Sequence, residues 1–573
     1  MPVSPLLLAL VLGVPALAML TLRLFPSARI SLWLLRERRT NRRGRPADMA
    51  LAAAYHSQLP PELLVDALDA RTWQDLDLDQ VFCSLDKTES EPGRQYLYHL
   101  LRTPQSDRAP LERLERAVRR LAGDADLAER VCGSLRRLDD PRAARLVHLI
   151  LGELPARPAL WWTFPLLTVG SLACLAAVAV WPGVLVVWMA IALVNVGVQL
   201  FYKPRVARFV SALHEIPAFL RASTELGALG VVELAPESRI LHDGARRLSR
   251  LRRATKWLMF EPGQAHELVV MVYEYINLLF LFDVNAFVFT TETLRASRAE
   301  LRAMFEAVGY LDAVQSIAAW RETLPRWATP EYTDVRKALQ VEALVHPLLA
   351  EPVPNSLEVD DTSVLITGSN MSGKTTFVRA IGVNALLAQT LHTVCANVWR
   401  APMLRVRTSI GRSDSLMEGK SYYLAEVESV RALVQAKEGG QQHLFLLDEI
   451  FRGTNTTERV AAAAAVLAYL NRGTDLVIVA THDIEVLDLL GDAYAAHHFR
   501  EKIVGDTLNF DYRIHDGPSS TRNAIALLEV MGYPAELVAD ACAALDWQQR
   551  RPATVASYGA DASTAVPNAD TLP

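Results

Sequence analysis

The stretch Ser363-Val-Leu-Ile-Thr-Gly-Ser-Asn-Met-Ser-Gly-Lys-Thr-Thr-Phe377 decides the fold. A β-branched, apolar run, Ser363 to Thr367, leads into a glycine loop and then into Phe377-Val-Arg-Ala-Ile381, which has helical character. The loop has the spacing G-x-x-x-x-G-K-[ST], in which Gly368 and Gly373 let consecutive backbone N–H groups turn inward and cradle phosphate oxygens at the positive end of a helix. In this pattern Lys374 reaches the β- and γ-phosphates of a nucleotide. The Thr375 hydroxyl supplies an oxygen for Mg2+, a hard cation that takes oxygen ligands. The expected phosphate-facing set is Gly368, Ser369, Asn370, Met371, Ser372, Gly373, Lys374, Thr375 and Thr376, with ATP and Mg2+ as cofactors. An ordinary Gly-rich turn uses the same residue types, but the strand before the loop and the helix after it argue against that reading.

A second element has the character that a nucleotide site requires. Leu444-Phe-Leu-Leu447 is a short continuous apolar run, the pattern of a strand buried on both faces, and it ends in Asp448-Glu449. At the carboxyl end of a parallel strand beside the loop, Asp448 can hold the Mg2+ water shell and Glu449 can polarise a water for attack on the γ-phosphate. A third strand, Leu476-Val-Ile-Val-Ala480, ends in Thr481-His482, and His482 is placed to hydrogen-bond the γ-phosphate.

Four segments carry a resemblance. Thr367-Gly-Ser-Asn-Met-Ser-Gly-Lys-Thr-Thr376, Asp414-Ser-Leu-Met-Glu-Gly-Lys-Ser-Tyr-Tyr-Leu-Ala-Glu426, Leu447-Asp-Glu-Ile-Phe-Arg-Gly-Thr-Asn455 and Ala480-Thr-His482 resemble, in order and spacing, the nucleotide-site motifs of the MutS family. In that family the ATPases are related to ABC ATPases and work as dimers. The resemblance therefore implies a homodimer in which Ser421, within a signature segment, completes the partner subunit's site. Phe451 departs from the small residue common at its position, and Ser372 from the usual glycine; neither change removes a phosphate or Mg2+ contact. Weaker likeness extends back to Asp77 through the core helical region, with Phe305 to Ser316 similar to the helix that precedes the family's ATPase domain. The C-terminal Gly517 to Pro534 is similar to its dimer-clasping segment.

The chain has 573 residues, enough for several domains, and 51% of them are apolar, with a mean hydropathy of +0.14. That is high for a wholly soluble protein and directs attention to membrane segments. A formal net charge of −5 and a pI near 6.3 lack the strongly basic footprint of a dedicated nucleic-acid binder. The five cysteines are scattered singly, with no C-x-x-C, and read as reduced thiols of a cytosolic compartment.

Pro5 to Leu22 is apolar and uncharged, and eight arginines follow between Arg23 and Arg45. Positive charge downstream fits an anchor with its N-terminus outside, while small residues at Ala16 and Ala18 leave a cleaved leader as the alternative. Trp161 to Val180 and Val184 to Phe201, split by Trp181-Pro-Gly183, form a predicted hairpin of two crossings. Arg157 and Lys203 flank it on the same side. Leu268 to Thr290 is also apolar but contains Glu274 and Asp283. It is expected as a core helix beneath the ATPase, since a further crossing would place the ATPase outside. The basic run Arg246 to Lys256 reads equally as a solvated helix face or a phosphate-binding patch.

The expected architecture is an α/β P-loop, ABC-like ATPase domain preceded by an all-α lever domain, with three transmembrane helices. Its parts are an anchor at 1–24, a cytoplasmic helical region at 25–159, the hairpin at 160–202, a second helical region at 203–340, the ATPase and dimerisation segment at 341–550, and a disordered tail at 551–573. Only about a hundred residues lie between the anchor and the hairpin, leaving no room for a mismatch-reading domain. The expected product is an ATPase of the cytoplasmic membrane, its nucleotide domain in the cytoplasm. A membrane-tethered DNA mismatch-repair or DNA-structure-binding protein is the alternative, and DNA as a partner stays open. A transporter ATPase fits less well, because the signature lacks the usual Leu-Ser-Gly-Gly-Gln and no charge lies in the crossings.

Overall fold

The computed structural model describes residues 49–550 apart from 155, 214, 249–275, 370, 412–421, 438–441, 453, 505–506, 520–524, 526–527 and 529–530. Its strands are β1 (Glu331–Tyr332), β2 (Leu339–Leu344), β3 (Asn355–Val359), β4 (Ser363–Thr367), β5 (Val398–Ala401), β6 (Arg405–Ile410), β7 (His443–Asp448), β8 (Leu476–Ala480), β9 (Tyr494–Val504) and β10 (Thr507–Asp516). Six of them form one sheet in the order β10-β9-β4-β8-β7-β6, and a smaller sheet has the order β1-β5-β2-β3. In the larger sheet every pair is parallel except β9–β10. Parallel strands end at one edge, so the chain leaving β4, β7 and β8 emerges on the same side of the sheet.

Burial on both faces explains the unbroken apolar runs. Every residue of β4, β7 and β8 is buried. Alternate side chains point to opposite faces. Val364, Ile366, Leu444, Leu446 and Ile478 join a core shared with the helical region, whereas Leu365, Phe445, Leu447, Val477 and Val479 join a second core. On the first face lies the Lys374–Leu391 helix, wedged between β6, β7 and β8 and the helices Glu91–Arg102 and Arg108–Ala122. Its approach to the sheet depends on Gly382, where a Cβ would come within 2.6 Å of a Leu446 methyl and 2.8 Å of a Leu76 methyl.

The helical region is built around Arg298–Arg321, which packs on Glu91–Arg102, Arg108–Ala122 and Ala235–Arg247. Two polar anchors set its register. Asp312, fully buried, accepts from the backbone N–H of Glu89 (2.9 Å), the N–H of Ser90 (2.8 Å) and the Ser90 hydroxyl (2.6 Å). Arg321 donates to Glu115 (2.6 Å) and to the His392 carbonyl (3.0 Å), tying the region to the end of the Lys374–Leu391 helix. Asp312→Ala would strand three donors. Each buried donor left unsatisfied costs about 1–3 kcal/mol, so the substitution is expected to lower stability by about 3 kcal/mol or more. Chemical denaturation of the full chain in detergent checks this, and an unchanged midpoint would remove Asp312 as an anchor.

The apolar segments depart from expectation in two ways. Among the described residues one helix is long and apolar enough to cross a membrane, the Val184–Tyr202 part of Val184–Leu213, where the sequence of the hairpin predicted two. Its hairpin neighbour is helical only over Thr163–Ala177. At about 1.5 Å per residue that is roughly 22 Å, short of a hydrocarbon layer of about 30 Å. The segment from Pro5 to Leu22 lies outside the described residues, as do the tail from 551 and half of the clasp-like segment. The second departure concerns Leu268 to Thr290. Its described part does not sit beneath the ATPase; the Phe282–Ala296 helix packs chiefly on the two hairpin helices. Apolar surface on that helix meets apolar surface on the hairpin, which a linear scan of hydropathy cannot reveal.

Candidate functional site

The loop between β4 and the Lys374–Leu391 helix turns on residues with positive φ: Gly368 at 133°, Met371 at 72° and Gly373 at 112°. At Gly368 a Cβ would lie 2.4 Å from the Phe499 carbonyl oxygen, so neither the dihedral nor the space admits a side chain. Gly373 caps the helix without a side-chain partner for its first N–H groups, which leaves them directed into the loop. Lys374 is 4% exposed, and its ammonium donates to the carbonyls of Gly368 (2.5 Å) and Ser369 (2.7 Å). Burial lowers its pKa, against the pull of Glu449, Asp448 and Glu501. The Ser372 hydroxyl donates to the Ser369 carbonyl at 2.8 Å, closing the loop on itself.

Across the sheet edge, the Thr375 hydroxyl donates to Asp448 Oδ2 at 2.6 Å. Asp448 is buried, and its Oδ1 has no hydrogen-bond partner among the described residues. Burial, with Glu449 next to it, raises the Asp448 pKa against the Thr375 hydrogen bond. A hydroxyl beside a carboxylate with one unpartnered oxygen is a donor set for a hard divalent cation, so the residues fit Mg2+.

Glu449 follows at φ 48°, with its N–H bound to the Ala480 carbonyl at 2.8 Å. Its carboxylate pairs with Arg452 and lies 3.2 Å from His482 Nδ1. Burial alone would raise the Glu449 pKa, but the His482 hydrogen bond and the charges of Arg452, His482 and Lys374 hold the carboxyl below its usual range. The same hydrogen bond raises His482 above its ordinary value. His482 therefore stands against Glu449, with Asp483 held beside it by a two-pronged contact from Arg459 at 2.7 and 2.9 Å.

The structure thus brings Ser369, Met371, Ser372, Gly373, Lys374, Thr375 and Thr376 together with Asp448, Glu449 and His482 at one edge. Asn370 and Ser421 lie outside the described residues. Three contributors were not singled out in the sequence. Glu426, on the Tyr422–Lys437 helix, accepts the N–H groups of Phe451 and Arg452 and so shapes the turn after Glu449. Glu501, on β9, accepts from the Ser369 hydroxyl. Arg452 faces Glu449, three residues on, a spacing that means contact only once the turn is known. Beside the loop lies a cavity of about 440 Å3, lined by Val345, His346, Val353, Phe377, Phe499 and Tyr512, among others. Burial lowers the His346 pKa to about 4, leaving a neutral ring next to apolar and aromatic walls. Such a slot beside a phosphate cradle suits a flat heterocycle.

The region that carries this site is similar to known proteins. A family model described as MutS domain V matches residues 364–547. Among curated relatives, the DNA mismatch repair protein MutS of Thermus aquaticus is 34% identical over 260 residues, covering 44% of this chain and 31% of that protein. The protein of the same name from Streptococcus gordonii is 31% identical over 277 residues, covering 46% of this chain and 32% of its own length. The chain therefore spans about a third of the length of the curated relatives it matches.

Proposed function

We propose that this chain, which belongs to the MutS family through its C-terminal half, is a membrane-anchored ATPase that binds and hydrolyses ATP at the edge formed by β4, β7 and β8. The observation that carries the reading is the Thr375–Asp448 pair with its orphaned Oδ1, set beside Lys374 and the buried Glu449. Thr375 and Asp448 hold Mg2+, which when bound neutralises charge on the phosphates. Lys374 and the loop N–H groups hold the phosphate oxygens. The base slot orients the nucleotide. Glu449 orients a water on the γ-phosphorus and takes its proton as the new P–O bond forms and the bond to the β–γ bridging oxygen breaks, releasing ADP. His482 keeps the Glu449 carboxylate ionised. Because that contact lowers the Glu449 pKa, His482→Gln should raise it and move the acid limb of the pH–rate profile to higher pH. An unmoved limb would separate His482 from Glu449.

Family resemblance further supports a homodimer in which Ser421 acts on the partner subunit's nucleotide. Mixing a Lys374→Ala chain with a Ser421→Arg chain should then restore one intact site per heterodimer. A mixture as inactive as either parent overturns the arrangement.

The membrane part of the reading rests on the hairpin's uncovered apolar surface. Val169, Val186, Leu193 and Leu200 are each more than 60% exposed, and the Val184–Tyr202 window is only 17% buried. A contiguous apolar face of that extent needs a cover, and lipid is the cover that such a composition fits. Retention in membranes washed with alkaline carbonate is the expected result, and release into the supernatant overturns it. The core that joins helices and sheet, with the Arg321–Glu115 anchor, offers a mechanical path from the nucleotide to the helices. A second reading, tethered DNA binding, draws on the relatives' name, DNA mismatch repair protein. Binding of duplex and mismatched DNA by the detergent-solubilised chain across a salt series, with and without ATP, decides between them.

A further inference from the structure

The helical segment at 276–280 ends at Leu281, whose φ of 54° breaks it, and the Phe282–Ala296 helix starts immediately after. Leu281 is 0% exposed, so protein encloses the break. Carbonyls at a helix end need donors from outside the helix, and here each hairpin helix supplies one. Thr168 Oγ1 donates to the Phe280 carbonyl at 2.7 Å, and Asn195 Nδ2 donates to the Leu279 carbonyl at 2.6 Å. Beyond the break Asn285 donates to Thr168 Oγ1 at 2.8 Å. Asp283 gives its N–H to Asn277 Oδ1 at 3.0 Å and accepts from Asn277 Nδ2 at 2.6 Å, which keeps its carboxylate among protein donors. Non-helical backbone and carboxylates are tolerated at membrane depth only under such cover.

Two helices measure how deep the break lies. Aromatic rings favour a membrane interface, and the hairpin carries them at one end. Tyr202 packs edge-on against Phe164 with ring centroids 5.4 Å apart, and Trp161 packs edge-on against Phe289 at 6.5 Å. From Asn195, which touches the break, to Tyr202 the helix rises about 10 Å, and from Leu281 to Phe289 about 12 Å, at about 1.5 Å per residue. Along either helix the break lies below the aromatic rings, within the nearer half of a hydrocarbon layer of about 30 Å. The outward side of the Phe282–Ala296 helix changes character at the same level. Phe282 is 40% exposed and Phe289, two turns on and on the same face, 52%. Past Phe289 the exposed side chains include Glu292 and Arg295, which pair at 2.8 Å. The helices on either side, Ala235–Arg247 and Arg298–Arg321, pack on each other, so the chain between them leaves the helical region and returns to it.

We propose that the stretch from Asn277 to Phe289 is a re-entrant membrane element, dipping into the bilayer beside the hairpin from the ATPase side without crossing it, with Phe282 and Phe289 against lipid acyl chains. The proposal rests on the bilayer reading of the hairpin. Lipid is the cover that fits because the exposed phenylalanines continue the hairpin's apolar surface and give way to charge at the level of Trp161. The element ends at Ala296, next to the Arg298–Arg321 helix that is anchored to the nucleotide domain through Arg321.

The test places p-benzoylphenylalanine at Phe282, Phe289, Leu193 or Glu292, one site at a time, in the full chain reconstituted in vesicles of deuterated phosphatidylcholine and phosphatidylglycerol. Irradiation and mass spectrometry of the peptides then read covalent lipid adducts. Leu193, 73% exposed on the hairpin, reports on the bilayer reading by itself. The expected result is a lipid adduct at Phe282 in a yield near that of Leu193, a weaker one at Phe289, and loss of the adduct at Glu292. If one phenylalanine site does not accept the probe, the other still decides. Adducts at Leu193 but at neither phenylalanine overturn the re-entrant element and leave the anchored hairpin standing. Cross-links from Phe282 and Phe289 to protein in place of lipid do the same, since a second copy or another part of the chain then covers that face. Absence of adducts at Leu193 overturns the bilayer reading and this proposal with it. Equal yields at Glu292 and Phe282 overturn the change of surroundings at Trp161, and so the dip.

Discussion

Glu449→Gln is expected to lower ATP turnover by about 10²- to 10⁴-fold while leaving ATP and Mg2+ binding in place, the range that a positioned general base contributes. Glu449 is 7% exposed, and the Thr375–Asp448 hydrogen bond beside which the cation would sit does not involve it. Its own partners are His482 and Arg452. Glutamine keeps the length and one acceptor oxygen, so the turn held by Glu426 should survive, but the amide cannot take a proton from water. Two measurements separate the roles: steady-state phosphate release, and retention of labelled ATP on the protein. A variant that turns over like the parent removes Glu449 as the base. One that loses binding as well would make it a ligand-holding residue instead.

Lys374→Ala should weaken ATP binding by at least about thirtyfold. The ammonium is buried beneath the loop, and removing one partner of a desolvated charge pair costs about 2–5 kcal/mol, where 1.4 kcal/mol is a factor of ten. Truncation also frees the carbonyls of Gly368 and Ser369 that the ammonium now caps, so some loss of loop order should accompany the loss of affinity. Lys374→Arg is the useful control, because it keeps the charge while its planar head does not fit a point-charge site. Titration with a fluorescent ATP analogue reads both variants. Near-parental affinity in Lys374→Ala would place the phosphates elsewhere. Because burial lowers the Lys374 pKa, binding that depends on its charge should weaken on the alkaline side earlier than an exposed lysine would allow.

The two outcomes are linked to the rest of the molecule through the shared core. The Lys374–Leu391 helix begins at the phosphate loop and ends at His392, whose carbonyl takes the Arg321 guanidinium. Arg321 closes the Arg298–Arg321 helix, and that helix is joined through Ser297 to the one that starts at the Leu281 break. A movement of the loop on nucleotide binding has a contiguous path of packed elements toward the hairpin. Only a difference in nucleotide affinity between two hairpin arrangements would make that path a signal.

By itself, the sequence determined what short-range chemistry determines. Two glycines at fixed spacing before Lys374 can make one kind of loop, and runs such as Leu444–Leu447 with no polar alternation can lie only where both faces are buried. The Asp448-Glu449 pair at a strand end and the likeness to MutS nucleotide motifs follow from the same local order. What the tertiary structure alone decided are contacts between residues far apart in the chain. Glu501 reaches Ser369 because β9 pairs with β4, and no period within β9 announces that neighbour. His482 turns to Glu449 because β7 and β8 lie side by side. The same limit governed the apolar segments: hydropathy measures how a stretch partitions between water and oil, but says nothing of what it packs on. It therefore counted Trp161 to Val180 as a full crossing where the helix is 15 residues long. It also set Leu268 to Thr290 beneath the nucleotide domain, where packing places the Phe282–Ala296 helix against the hairpin, with its break lined by Thr168 and Asn195.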